Sequence, residues 1–218
     1  MDKFRGPGVG LIISAVVFFI TIAIWPLFLG AESSPETASS SASRAAHLLA
    51  EKSHYLALWT VESMTMGLLA ASAFVLAFRG PAKVGSPIGW SLLGVGSLAN
   101  IAMYAFVMGS YFVVATIAAE NPLPYEAAKA AAYAIFNIAN GLAFLGVAIL
   151  LVGYCLSDER MLPRWVSIIG AVACLITFLT AFYGLLKARE LMMLMAPGAL
   201  LGYILLGVIG VRIVCAKE

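Results

Sequence analysis

Six long apolar stretches run through this chain of 218 residues, and they constrain its fold more than any other feature. A helix needs about 20 mostly apolar residues to cross a hydrocarbon core of roughly 30 Å. Six stretches reach this length, at about residues 8–30, 56–79, 89–119, 127–156, 164–186 and 191–213. Because the runs are continuous and hydrocarbon offers the backbone no partners, each must close its hydrogen bonds as a helix. The sequence therefore predicts an all-α polytopic membrane protein.

The composition agrees with this fold class. Hydrophobic residues make up 62% of the chain and charged residues 11%, whereas a soluble domain is about half apolar and about a quarter charged. The mean hydropathy is +1.00. The predicted partner is the lipid bilayer, and a net charge of +2 is too small to indicate a nucleic acid.

Short connections rich in Gly and Pro predict antiparallel neighbours in one compact bundle, so residues 1–218 form a single six-helix domain. The first apolar run exceeds the 7–15 residues usual in a signal peptide, and we expect a retained helix. Residues 31–55 are predicted to form an outer loop and a helical extension. Ser41 or Ser43 can cap this extension, which is expected to project outward and continue unbroken into the second span.

The distribution of basic residues predicts the orientation. Six crossings place both termini on one side, which would hold eight of the thirteen basic residues. These are Lys3, Arg5, Arg79, Lys83, Arg160, Arg164, Arg212 and Lys217. The positive-inside rule then predicts an N-in/C-in topology, with both termini in the cytoplasm.

Glu62 is a carboxylate within the second span. An ionised carboxylate in hydrocarbon is costly unless it is paired or hydrated, so it is expected to face the bundle interior. One hypothesis is a proton or cation site reached from outside. The other is a structural carboxylate that hydrogen-bonds hydroxyls on neighbouring helices, with Tyr111, Thr177, Thr180 and Tyr183 as candidates.

Three asparagines lie deeper in the apolar runs. Asn100 is on the third span, and Asn137 and Asn140 are on the fourth, all near mid-membrane by residue count. Their amides are expected to bond across helices, each contributing roughly 0.6–2 kcal/mol. Alternatively, they line a small ligand-binding cavity together with Glu62.

A third group of candidates concerns metals. His47, Glu51 and His54 have the spacing of one helix face, and two imidazoles and a carboxylate can bind a divalent metal. Methionine thioethers, which suit Cu(I), are expected on the same side of the membrane at Met64, Met66, Met192, Met193 and Met195. Alternatively, the histidines lie at the interface and the methionines fill packing gaps.

The chain lacks several catalytic motifs. It has no Gly-x-Ser-x-Gly elbow, Walker loop, His-Glu-x-x-His, Cys-x-x-Cys or paired intramembrane aspartates. It also has no mid-span histidine that could ligate haem. The sequence therefore favours a protein that is not an enzyme, and it identifies no cofactor.

The junction between the fourth and fifth spans carries a family resemblance. Residues 151–166, with Leu-Pro-Arg-Trp at 162–165, precede a helix containing Gly170 and Ala171. This element resembles one that recurs in a family of bacterial six-helix membrane proteins known as a domain of unknown function. The resemblance implies six helices and a bacterial membrane, and it implies no activity.

Three functional hypotheses follow. The first is an accessory or structural subunit, or a small-ligand-binding component, of a bacterial inner (plasma) membrane, acting as a homo-oligomer or within a larger complex. The second is a small transporter, or a lipid- or proton-coupled binder, that uses Glu62. The third is a metal-handling protein or metal-dependent membrane enzyme built on His47, Glu51 and His54.

Overall fold

The structure is a computed structural model that describes residues 4–32, 40–158, 161–184 and 192–216, with side chains for all of these except 23–32, 184 and 192–194. Most of the predicted outer loop, residues 33–39, and the side chains of Met192 and Met193 therefore lie outside the described residues.

Within the described residues the chain forms seven α-helices and one 3₁₀ turn. The helices are α1 (Arg5–Glu32), α2 (Ser41–Ala50), α3 (Lys52–Arg79), α4 (Pro87–Ala115), α5 (Leu123–Leu156), α6 (Arg164–Gly184) and α7 (Met192–Cys215). The 3₁₀ turn, Ala82–Val84, lies between α3 and α4. All helices except α2 are long and apolar enough to cross a membrane, which confirms the predicted all-α, six-helix fold.

The six long helices close into a ring. Each packs against the next long helix along the chain, and α7 packs against α1. At this closure Gly8 lies against the backbone of Gly210. The start of α1 and the end of α7 therefore share one end of the bundle, called here the termini end. The opposite end, where α2 lies, is called the α2 end.

The α4–α5 interface shows how closely the helices pack. A Cβ atom at Gly96 would lie 2.5 Å from the carbonyl oxygen of Ala139 and 2.6 Å from the backbone nitrogen of Ala143. Only glycine fits at this position, because the two backbones are in contact.

The inward and outward faces of the helices differ in character. On α3 the inward face carries Tyr55, Trp59, Glu62, Met66 and Leu69, spaced alternately by four and three residues. The outward side of α6 exposes aliphatic residues that suit lipid, among them Ile168, Val172, Leu175 and Leu179. Six apolar helices with such outer faces describe a multi-pass membrane protein.

The segment before α3 differs from its prediction. A helix does begin at Ser41, but the capping side chain is that of Ser40, which accepts a hydrogen bond from the backbone N–H of Ser43 at 3.1 Å. The expected unbroken helix is wrong, because Glu51 has φ −96° and ψ 16° and separates α2 from α3. Helix α2 packs against α4 and α5 and buries Ala45 and Leu48.

Candidate functional site

Glu62 lies inside the ring. Its residue surface is 3% exposed, and its carboxyl group shares a hydrogen bond with the hydroxyl of Tyr104 on α4. Tyr203 on α7 also interacts electrostatically with Glu62. Three helices of the ring therefore bring polar groups together near the midpoints of their lengths.

Tyr203 is held in place by aromatic packing. Its ring stacks on Phe18 of α1 with a centroid separation of 4.5 Å, and it meets Phe144 of α5 edge-on at 5.6 Å. Helices on different sides of the ring thus meet at this tyrosine. Because the rings fix the phenol, its hydroxyl has a defined position inside the ring of helices.

Sequence reasoning did not identify Tyr104 or Tyr203 as partners of Glu62. Of the candidate hydroxyls, Thr177 and Thr180 donate hydrogen bonds to carbonyls of their own helix, α6. A buried tyrosine hydroxyl in an apolar span needs a hydrogen-bond partner, but this requirement does not single out Tyr104 among the tyrosines of the spans.

Asn100 and Asn140 form the expected bond between helices. The Asn140 amide nitrogen on α5 donates to the Asn100 side-chain oxygen on α4 at 3.4 Å, and it donates to the Phe136 carbonyl oxygen at 2.8 Å. Asn100 also lies one turn from Tyr104 on the same face of α4. The asparagine pair therefore extends the polar cluster from Glu62 across α4 to α5.

Asn137 behaves differently. It lies one turn before Asn140 on α5 and is buried, but its side-chain oxygen has no hydrogen-bond partner among the described residues. The expected bond between helices is therefore absent at this oxygen in the described structure. A buried amide oxygen without a hydrogen-bond partner costs free energy of folding, because it loses its hydrogen bonds to water.

An aromatic layer separates Glu62 from the α2 end. Tyr55 and Trp59 on α3 pack with ring centroids 5.3 Å apart, and Trp59 contacts Phe112 of α4 at 5.7 Å. Trp59 lies one turn before Glu62 on the inward face of α3. Access to Glu62 from this end therefore requires movement of buried rings.

Above this layer, α2 is fastened to α5 by three polar side chains, here called the α2 latch. Glu126 in the first turn of α5 accepts hydrogen bonds from Arg44 at 2.7 Å and from Ser41 at 2.5 Å. The arginine side chain of the pair is largely buried, and the carboxylate is 42% exposed. The latch holds α2 across the α2 end of the bundle.

The metal candidates are only partly brought together. His54 Nδ1 lies 2.6 Å from a Glu51 carboxylate oxygen, whereas His47 packs edge-on against the ring of Tyr55. Within the part of the chain that the structure describes, no group of three His, Cys, Asp or Glu residues could hold a metal ion. The break at Glu51 explains this, because the predicted stripe required one continuous helix.

The candidate thioether ligands point in different directions. Met64 is 73% exposed on the outer surface of the bundle, while Met66 and Met195 are buried. The described methionines are thus divided between the outer surface and the interior.

Comparison with known proteins gave no match: no family model, no curated protein and no solved structure is similar to this chain. The family resemblance at the junction between α5 and α6 therefore remains a prediction.

Proposed function

We propose that this chain is a non-enzymatic membrane protein that takes up and releases a proton at Glu62 as part of coupled binding or transport. The observation that carries the proposal is the buried hydrogen bond between Glu62 and Tyr104 at mid-bundle. Ionisable residues inside a helical bundle are rare, and they commonly mark proton or ion pathways.

The surroundings of Glu62 favour a protonated carboxyl group over a carboxylate that is held in an ion pair. All Lys and Arg residues of the spanning helices lie near a helix end, so none is at the height of Glu62. A carboxylate without a nearby cation is costly in a dry interior, whereas the protonated acid is neutral. A change in the hydration of the site would therefore move a proton on or off Glu62.

The α2 end suggests how such a change could occur. The α2 latch and the aromatic layer both lie between Glu62 and this end. Helix α2 is ten residues long, buries Ala45 and Leu48, and is joined to α3 at the non-helical residue Glu51. We propose that displacement of α2 admits water toward Glu62.

For the cellular setting we propose the inner membrane of a bacterium, with both termini in the cytoplasm. Two features support this orientation. The excess of basic residues falls on the termini side in the sequence, and Arg5, Arg79, Lys83, Arg164 and Arg212 belong to that end of the bundle. The α2 end would then face the periplasm.

Infrared spectroscopy of the purified protein in lipid tests the proposal. A carboxylic acid C=O band assigned to Glu62 should titrate with pH, shift in D₂O and be absent from Glu62→Gln. Tyr104→Phe should move the band, because it removes the hydrogen bond. Tyr154→Phe is the matched control, since that buried hydroxyl bonds the Val84 carbonyl oxygen instead. A band that neither titrates nor exchanges in D₂O would assign Glu62 a purely structural role.

A second candidate function is an accessory subunit of a homo-oligomer or larger membrane complex. It is favoured by the row of large aliphatic side chains that α6 exposes, at Ile168, Val172, Leu175 and Leu179. A partner helix would cover this row, whereas lipid would cover it in a monomer. Cross-linking from Val172→Cys in native membranes tests whether a partner protein covers α6. A specific protein adduct supports the accessory-subunit function, and the absence of any protein adduct contradicts it.

A further inference from the structure

A pocket of about 270 Å³ opens at the termini end of the bundle, remote from Glu62. Its lining comes from three places: the connection between α3 and α4, the connection between α5 and α6, and the end of α7. The lining residues are Lys83, Met161, Arg212, Cys215 and Ala216. Because α7 is not a ring neighbour of α3 or α4, the pocket lies over the end of the bundle and not on its lipid side.

Two cations, Lys83 and Arg212, line this pocket. No Asp or Glu among the described residues forms an ion pair with Lys83 or Arg212. Lys83 is half-buried. Like charges that share a cavity repel each other, and an anion between them would remove that repulsion.

The backbone that carries Lys83 is held rigidly. The carbonyl oxygen of the next residue, Val84, accepts hydrogen bonds from Trp90 Nε1 at 2.9 Å and from the Tyr154 hydroxyl at 2.6 Å. Gly85 follows with φ 104°, which favours glycine and turns the chain into α4. Arg212 is on a regular helix, so both cations are held by fixed backbone.

We propose that this pocket binds a phosphate-bearing anion, either a lipid head group or a soluble phosphate. A guanidinium offers a fork of donors that matches a phosphate, and an ammonium supplies a compact second charge. Basic pockets between membrane helices bind anionic head groups in the same way. The exposed Cys215 thiol lies in the pocket wall and would be covered by the bound anion.

The first experiment measures binding to the full chain in mild detergent. The first probe is phosphatidylglycerol, whose binding is detected by native mass spectrometry with phosphatidylcholine as the reference lipid. The second probe is inorganic phosphate, whose binding is detected as a rise in the melting temperature relative to chloride at equal ionic strength. Binding should weaken about tenfold or more in Lys83→Gln/Arg212→Gln. Arg79→Gln, which removes an exposed charge at the same end, should bind as the wild type does.

The two probes distinguish the sources of the anion. Selective retention of phosphatidylglycerol identifies a lipid head group, and a saturable response to phosphate identifies a soluble ligand. The proposal is overturned if the wild type binds neither probe, or if the double variant binds them as the wild type does.

The second experiment needs no variant. Maleimide labelling of Cys215 in the wild-type protein, read by peptide mass spectrometry, should slow severalfold when the binding probe is added. Cys155, which does not line the pocket, is the internal reference. An unchanged Cys215 rate at a saturating probe concentration would place the anion elsewhere and contradict the proposal.

Discussion

Glu62 is at a level of the bundle where the described spanning helices carry no lysine or arginine, and there it shares a hydrogen bond with the hydroxyl of Tyr104. Its hydrogen bond to Tyr104 stabilises the carboxyl group without neutralising a charge. This arrangement differs from a buried ion pair, because protonation of Glu62 leaves no uncompensated partner charge behind.

A double-mutant cycle measures the bond between Glu62 and Tyr104. We expect a coupling free energy of about 0.5–2 kcal/mol between Glu62→Gln and Tyr104→Phe, since the two side chains contact each other. The measurement is the free energy of unfolding in mixed detergent micelles. Glu62→Gln combined with Tyr154→Phe is the control and should be additive. Additivity in the Glu62/Tyr104 cycle itself would contradict the hydrogen bond.

Asn137 and Asn140 offer a matched pair one turn apart on α5. Asn137→Leu should leave the free energy of unfolding unchanged or raise it by about 1 kcal/mol, because it removes a buried oxygen that has no partner. Asn140→Leu should lower it by about 1–2 kcal/mol, since it breaks the bond to Asn100. Equal losses in both variants would show that Asn137 has a partner in the membrane.

Among single residues, the sequence identified the polar side chains of the spans and the bond between Asn100 and Asn140 across helices, but not the partner of Glu62. Glu62 and the asparagines stand out because a polar side chain in an apolar run has to face the interior. Tyr104 and Tyr203 do not stand out, because a tyrosine in such a run resembles an ordinary core residue. The partner of Glu62 depends on the rotation of α4 about its own axis, which packing decides and residue spacing does not.

Among the structural elements, α2 is the least firmly attached to the bundle. It buries Ala45 and Leu48, and at ten residues it is too short to span a bilayer. The α2 latch fastens it to α5, and Glu51 separates it from α3.

Weakening the latch should loosen α2. Glu126→Gln removes the ion pair with Arg44 and makes the bond from Ser41 neutral, so we expect amide hydrogen exchange in Ser41–Ala50 to be roughly fivefold faster. Hydrogen–deuterium exchange with mass spectrometry gives this rate. Glu120→Gln, an exposed glutamate at the same end, is the control and should leave the rate unchanged. An unchanged rate in Glu126→Gln would mean that the latch does not hold α2.

The α4–α5 interface gives a second prediction for elements. Gly96→Ala should lower the free energy of unfolding by roughly 1–3 kcal/mol, because the new methyl group meets the backbone of α5. Gly109→Ala, on an exposed face of the same helix, meets no atom within 4 Å and should be neutral or slightly stabilising. Thermal unfolding in detergent measures both, and equal effects would show that α4 and α5 are not in backbone contact.

The sequence predicted the long helices well and the α2 region poorly. Length and apolarity are local properties, so the spans could be placed to within a few residues. The break at Glu51 carries no local signal, because Ala50, Glu51 and Lys52 include neither Gly nor Pro. The position of α2 depends on Glu126, which is 85 residues from Ser41, and no local pattern reports such a contact.

At the scale of the whole molecule, the ring order follows from short connections between antiparallel neighbours, as the sequence indicates. Closure by α1 and α7 brings the start of α1 and the end of α7 to one end of the bundle and leaves α2 at the other. Glu62 then lies between the two ends of the bundle, with the aromatic layer on its α2 side. The proposed uptake and release of a proton at Glu62 requires that these two ends face different compartments.

The most direct test is labelling with a membrane-impermeant maleimide in right-side-out and inside-out vesicles. It compares the native Cys215 with Gly6→Cys and Ser40→Cys, two exposed positions at opposite ends of the bundle. We predict that Cys215 and Gly6→Cys react only from the cytoplasmic face and that Ser40→Cys reacts only from the other. Reaction of Cys215 and Gly6→Cys from opposite faces would contradict the six crossings and the position of Glu62 between two compartments.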